Sequence, residues 1–97
     1  MAKDATAWWY RDAQWTQVMV GVDPDPANAD VIRDWSISYW EALHPYSMGG
    51  AYVNMMMDEG QERVQATYAG NYERLAKVKA AYDPDNVFHV NQNIRPA

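Results

Sequence analysis

Residues 82–96 read Y-D-P-D-N-V-F-H-V-N-Q-N-I-R-P, and this stretch determines how the chain folds at its C-terminal end. Pro84 has no backbone N–H and disfavours helical geometry at Asp83, so it predicts the end of a helix that arrives through Tyr82. The chain must turn there and then dock its tail. Three side chains offer apolar anchors for that docking: Val87, Phe88 and Val90.

Three neighbouring amides, Asn91, Gln92 and Asn93, follow the anchors. They supply neutral hydrogen-bond donors and acceptors, which suit the edge of a polar heterocycle. They would equally satisfy buried backbone groups at a docked C-terminus, and amides do this routinely. Spacing alone favours this second interpretation.

The rest of the sequence predicts an α+β fold. Helical spacing of apolar residues predicts a helix from about residue 26 or 27 to 43, a short one over 61–68, and a longer one that Asn71 caps and that ends near residue 81. Alternation of side chains between two faces, together with a high aromatic content, predicts extended segments over residues 8–10, 15–22 and 51–57.

We therefore expect a small antiparallel sheet of about three strands packed against two to three helices. The prediction places residues 1–97 in one domain. Within it, residues 8–57 form a strand-strand-helix-strand part, and residues 58–97 form a helical tail.

The amino-acid composition indicates which kinds of surface and partner to expect. The chain has 97 residues, of which five are Trp, seven Tyr, one Phe and six Met. Because an aromatic side chain buries roughly 150–250 Å², so small a domain should leave some of them lining a cleft or an interface. The net charge of −5 argues against nucleic acid and anionic membranes as partners.

Other features set further expectations. Without cysteine there is no disulfide, and the acidic residues near Pro24 and Pro26 lack the spacing of a metal site. No apolar run is long enough to span a membrane, and no signal-peptide core follows Met1. A cytoplasmic location is the default expectation.

Two further motifs accompany the terminal stretch. They are G-G-A-Y-V-N at residues 49–54 and N-Y-E-R-L at residues 71–75. Together, in this order, the three motifs resemble the C-terminal portion of the berberine bridge enzyme-like flavoproteins, which are FAD-linked oxidases of alcohols, sugars, amines and alkaloids. The similarity runs from about Tyr10 to the end. It implies that the predicted sheet is the C-terminal part of the substrate domain of such an oxidase.

The resemblance implies flavin contacts at Tyr52, Val53 and Asn54, since this segment approaches the isoalloxazine ring in the family. It also implies that Asn91 reaches the flavin or its immediate surroundings. A half-buried strand tyrosine is a common structural alternative for Tyr52. Asn54 is less expected in a strand, which favours the functional interpretation.

The sequence departs from the family at Met55, where many members carry a tyrosine that accepts the substrate proton. A thioether cannot accept that proton. Tyr52 is the remaining catalytic candidate, provided that a cation or the flavin makes its phenol more acidic. Arg11 is a candidate substrate contact, although a solvated arginine in a turn is the commoner situation.

We therefore interpret the chain as the C-terminal berberine-type domain of an FAD-dependent oxidoreductase acting on a small molecule. Its partner would be an FAD-binding domain or subunit. It contains no glycine-rich phosphate-binding stretch and no context for covalent FAD attachment, so the isolated chain should neither hold FAD tightly nor turn over. The alternative is a non-enzymatic α+β module that forms a homodimer through an aromatic face or binds a small aromatic ligand.

Overall fold

The computed structural model describes residues 1–90 and 92–97. It contains three α-helices, α1 (Ala29–Leu43), α2 (Gln61–Tyr68) and α3 (Tyr72–Tyr82). Four short 3-10 turns accompany them: Pro26–Asn28, His44–Tyr46, Val53–Met55 and Ala69–Asn71. The chain divides into two compact units, residues 14–48 and residues 1–13 with 49–97.

The predicted α+β fold is wrong for this chain, because the described residues are helical and form no strand. A strand requires a neighbouring strand to satisfy its backbone groups. Residues 15–22 lie in irregular backbone and pair with no other segment that the structure describes. Residues 51–57 are interrupted by the turn Val53–Met55. Apolar residues do alternate in these segments, but residues 1–90 and 92–97 provide no partner strand.

The predicted helices are confirmed. In the unit of residues 14–48, the Asp25 side chain accepts a hydrogen bond from the Ala27 backbone N–H at 2.9 Å, and Pro26 lies in the first turn. Helix α1 then continues to Leu43, as predicted. Gly21 lies so close to α1 that a Cβ there would be 2.3 Å from Ile32 Cγ2.

This unit covers its apolar side chains poorly. No residue of α1 is buried. Trp15 is 91 % exposed, and one stacked aromatic pair on α1, Trp35 and Tyr39, remains in contact with solvent. Several aliphatic side chains are also exposed: Val18, Val20, Val22, Val31 and Ile37.

The second unit, residues 1–13 with 49–97, contains the buried core. Its apolar members are Met56, Val64 and Ala76, which come from three successive segments of the chain. The Thr67 hydroxyl is buried beside them and donates to the Arg63 carbonyl of the preceding helical turn at 2.9 Å. The core is small because two short helices can enclose little between them.

Asn71 fastens the N-terminal segment to this core. Its side chain is 1 % exposed, and Nδ2 lies 2.8, 3.1 and 3.3 Å from the carbonyl oxygens of Lys3, Thr6 and Ala7. Asn71 does precede α3, but its side chain makes no capping hydrogen bond. The predicted capping role is therefore wrong, and the side chain instead satisfies buried backbone carbonyls.

Helix α3 ends at Tyr82, as the proline predicts. The Asp83 carboxylate accepts a hydrogen bond from Lys79 Nζ and two from the backbone N–H groups of Val87 and Phe88, at 2.7 and 3.0 Å. The hydrogen bond from Lys79 is the main cause that lowers the pKa of Asp83, and the backbone donors add to it against the effect of burial. A carboxylate that stays charged thus organises the turn.

The predicted apolar anchors of the tail are wrong, since Val87, Phe88 and Val90 are all exposed. Polar groups dock the tail instead. Gln92 Nε2 donates to the Met56 carbonyl at 2.6 Å, and Gln61 Nε2 donates to the Asn93 carbonyl at 2.9 Å.

Candidate functional site

A glycine loop places the candidate site residues beside α2. Gly49 has a φ of +88°, a conformation that glycine adopts without steric cost. Its carbonyl accepts a hydrogen bond from Arg63 Nη1 at 2.8 Å, and Arg63 is itself paired with Glu59 at 3.2 Å. The loop that carries the motif is therefore fixed to the second helix.

Gly50 allows the aromatic ring of Tyr10 to lie directly against the backbone. A Cβ at this position would be 2.2 Å from Tyr10 Cε2. The Tyr10 hydroxyl donates to the Ala66 carbonyl at 2.5 Å, so the ring is held at both ends. The close approach explains why the motif has a glycine here.

Tyr52 and Asn54 lie at a 3-10 turn rather than in the predicted strand. The turn still brings their side chains together, because Asn54 Nδ2 donates to the Tyr52 hydroxyl oxygen at 2.8 Å. Both residues are exposed, Tyr52 by 47 %. Among the described residues, no further hydrogen bond engages the Tyr52 O–H proton or the remaining amide groups of Asn54, so these groups are available to a ligand.

A cleft of about 390 Å³ opens beside this turn. Its lining comes from the N-terminal segment, the turn and the end of α2, all within the second unit. The aromatic content predicted that some of these side chains would line a cleft or an interface, and three of them line this cleft. The lining residues are Ala7, Trp8, Tyr52, Val53, Thr67 and Tyr68.

Two features fix the aromatic walls of the cleft. The Trp8 indole N–H donates to the Tyr10 carbonyl at 3.0 Å. Tyr68 is followed by Ala69, whose φ of +44° is unusual for a residue with a Cβ. Burial raises the pKa of the Tyr68 phenol above its ordinary value, so this wall of the cleft is uncharged at neutral pH.

Two of the predicted site residues are not found with Tyr52 and Asn54 at the cleft. Arg11 does not line the cleft. Its guanidinium donates to Thr6 Oγ1, and its Nε is buried without a hydrogen-bond partner among the described residues. Asn91, the predicted flavin contact in the tail, lies outside the described residues. Its neighbour Gln92 satisfies a backbone carbonyl, which is the structural alternative stated for these amides.

Residues 1–90 and 92–97 contain no group of three or more His, Cys, Asp or Glu side chains that could hold a metal ion. None of the described helices is long and apolar enough to cross a membrane.

Sequence analysis missed Trp8, Thr67 and Tyr68. A signal for two of them was present, since Val64, Thr67 and Tyr68 follow the i, i+3, i+4 spacing of one helical face. Trp8 carried no such signal, because its place in the cleft depends on the contacts between the N-terminal segment and Asn71.

Known proteins match the segment that carries this site. The family model described as berberine and berberine-like matches residues 51–95. Residues 51–95 are thus similar to the berberine and berberine-like family. The match includes Tyr52, Val53 and Asn54 as well as α2 and α3.

Three relatives extend the similarity to nearly the whole chain. An uncharacterized FAD-linked oxidoreductase of Bacillus subtilis, YgaK, is 35 % identical over 96 residues, which are 99 % of this chain and 21 % of the relative. A second one from that organism, YvdP, is 32 % identical over 98 % of this chain and 21 % of its own length. The FAD-linked oxidoreductase fogF of Aspergillus ruber is 38 % identical over 91 % of this chain and 19 % of its own length.

This chain thus spans about a fifth of the length of the relatives it matches. No solved structure matches it at a significant level.

Proposed function

We propose that this chain is the C-terminal, berberine-like portion of an FAD-dependent oxidoreductase and supplies residues at the flavin edge and on the substrate side. The observation that carries the proposal is the exposed hydrogen-bonded pair Tyr52 and Asn54 beside an aromatic cleft. The pair lies within the segment that matches the family model, and the relatives are named FAD-linked oxidoreductases.

The residues present suit the edge of a flavin ring. Asn54 uses one amide N–H on Tyr52, which leaves the other N–H and the amide oxygen for a heterocycle that both donates and accepts hydrogen bonds. Val53 is half-buried and lines the cleft beside the pair. In the complete protein, FAD would supply the acceptor for the electrons that leave the substrate. Tyr52, Val53 and Asn54 would orient the substrate relative to that acceptor.

Tyr52 is our candidate proton acceptor, because Met55 occupies the family's position for this role and cannot accept a proton. The hydrogen bond that Asn54 donates to the Tyr52 oxygen stabilises negative charge on that oxygen. In the complete protein the two residues would then act as a unit: the amide supports the Tyr52 phenolate, which takes the substrate proton and becomes a phenol. Arg11 remains a proposed substrate contact only if its turn rearranges in the complete protein.

The exposed apolar surface of residues 14–48 supports the proposal that this chain contacts another domain or subunit. Trp15 and Val22 are 91 % and 82 % exposed, and patches of this kind mark contact surfaces. Residues 15–22 have strand-like alternation without a partner among the described residues. We propose that an FAD-binding domain or subunit covers this surface. A second copy of the chain is the alternative cover, and it would make the isolated chain a stable dimer in analytical ultracentrifugation.

The proposal predicts that FAD binding requires the rest of an oxidoreductase. Titration of FAD into the isolated chain should give a dissociation constant weaker than roughly 100 µM, because only edge contacts are present. A chimera in which residues 1–97 replace the matching C-terminal fifth of YgaK should retain FAD after purification, as measured by flavin absorbance per protein.

YgaK truncated before that fifth serves as the control. Tight, stoichiometric FAD binding by the isolated chain would show that it is not an incomplete portion. A folded chimera that has lost its FAD, as judged by circular dichroism and flavin absorbance, would refute the flavin-edge role.

A further inference from the structure

We propose that the cleft lined by Trp8, Tyr52 and Tyr68 binds a neutral aromatic molecule of one or two rings that carries a hydroxyl group. That this molecule is the substrate of the complete oxidoreductase rests on the function proposed above. The affinity of the cleft for such a ring rests only on the geometry of the second unit.

The size of the cleft limits its ligand. Its volume of about 390 Å³ lies at the lower end of the range of roughly 300–1,000 Å³ that is typical of small-molecule sites. One or two fused rings fit this space. A larger polycyclic molecule would project into solvent and gain little further contact.

The lining selects for an uncharged ring. None of the six lining residues is an Asp, Glu, Lys, Arg or His, and burial raises the pKa of the Tyr68 phenol. A charged ligand would lose hydration without gaining an opposite charge, which costs several kcal/mol. Trp8 and Tyr68 instead offer aromatic surfaces, which prefer edge-to-face or offset contact with another ring.

The polar groups of the cleft select for a hydroxyl. Tyr52 accepts from Asn54 and keeps its own O–H proton free to donate. The Tyr68 hydroxyl makes no hydrogen bond to any residue that the structure describes, so it can donate or accept. The Thr67 hydroxyl, in contrast, is engaged with the Arg63 carbonyl. Two phenols are therefore among the lining residues that can bond to a ligand hydroxyl, while the remaining lining is apolar or already satisfied.

The walls are held in place before a ligand arrives. The Trp8 indole is anchored by its hydrogen bond to the Tyr10 carbonyl at 3.0 Å. The Tyr10 hydroxyl is in turn held by the Ala66 carbonyl of α2. A pre-formed site loses less side-chain entropy on binding, which raises the affinity for a small ligand.

The experiment uses 2-naphthol as the probe and the full 97-residue chain. Titration followed by NMR should shift the indole N–H signal of Trp8 with a dissociation constant between roughly 10 µM and 1 mM, the range expected for a ligand of about eleven non-hydrogen atoms. The charged analogue 2-naphthoate should bind at least about tenfold more weakly. Glucose, which has hydroxyls but no aromatic face, should not shift the signal.

Three variants locate the ligand. Tyr68→Phe keeps the ring and removes the hydroxyl, so it should weaken 2-naphthol binding by about 2- to 12-fold. Trp8→Leu removes an aromatic wall and should weaken binding at least about tenfold, read from the shifts of residues 67 and 68. The matched control is Trp15→Leu, in the other unit, which should leave the affinity unchanged.

Several results would overturn the proposal. Equal affinity for 2-naphthol and 2-naphthoate, or binding of glucose, would contradict the selectivity of the cleft. Unchanged affinity in both Trp8→Leu and Tyr68→Phe would contradict its location. Displacement of 2-naphthol from the cleft by riboflavin would show that the cleft is a flavin site instead. None of them depends on FAD retention by the YgaK chimera. Failure of this inference and failure of the proposed function are therefore distinguishable.

Discussion

Replacement of Asn71 by alanine is expected to lower the free energy of unfolding of the second unit by about 2 to 4 kcal/mol. The side chain is 1 % exposed and reaches the carbonyl oxygens of Lys3, Thr6 and Ala7. The Thr6 carbonyl keeps a hydrogen bond from Arg74 at 2.9 Å. The other two carbonyls would lose this donor, so the N-terminal segment should be held less firmly against α3 and Trp8 should shift in the cleft.

The measurement is urea unfolding followed by circular dichroism, combined with hydrogen exchange of the α3 amides. Asn71→Asp is a near-isosteric test, because a carboxylate has no N–H to donate and should be at least as destabilising as alanine. Asn28→Ala is the matched control, since Asn28 is exposed and makes no side-chain capping hydrogen bond. Its effect should stay within about 0.5 kcal/mol. An Asn71→Asp chain as stable as the parent would contradict this role.

Replacement of Gly50 by alanine is expected to cost about 1 to 3 kcal/mol of stability. The new Cβ would lie 2.2 to 2.7 Å from three atoms of the Tyr10 ring. The ring would have to move, which breaks the hydrogen bond from its hydroxyl to the Ala66 carbonyl. Because Gly50 adjoins the turn that carries Tyr52, the variant should also weaken 2-naphthol binding.

A double-mutant cycle tests whether the Tyr10 ring is the cause. In the background of Tyr10→Ala, the ring is absent and Gly50→Ala should cost less than about 0.5 kcal/mol. Equal costs of Gly50→Ala in both backgrounds, measured by urea unfolding, would mean that the strain lies in the backbone and not against the ring.

The local parts of the fold were predictable from the sequence. Asp25 and Pro26 start the first helical region, and Pro84 follows the end of α3. These signals act within a few residues through backbone geometry, so they hold whatever the remainder of the chain does.

The tertiary parts were not predictable. Alternation in residues 15–22 predicted a strand, but a strand needs partner strands that the described residues do not provide. Asn71 has the residue type of a helix cap, yet its side chain satisfies carbonyls more than sixty positions earlier in the chain. Phe88 was expected to be buried and is 80 % exposed. Each outcome depends on which distant group is near, and local sequence does not specify that.

The candidate site shows the same division. The proximity of Tyr52 and Asn54 was predicted from strand alternation and arises instead from a turn, which brings together two side chains that are two positions apart. The predicted proximity of the two side chains is therefore confirmed, whereas the predicted strand is wrong. Tyr68 and Trp8 became site residues only through the packing of α2 and the N-terminal segment.

The midpoint potential of the flavin in the YgaK chimera tests the proposed hydrogen bond between Asn54 and the edge of the flavin. Loss of a hydrogen bond that stabilises one redox state of the flavin by about 1 kcal/mol more than the other should shift the two-electron potential by roughly 20 mV. We predict a shift of this size or larger in Asn54→Ala and none in the control Gln65→Ala, an exposed amide on α2. Identical potentials in the chimera and its Asn54→Ala variant would contradict the claim.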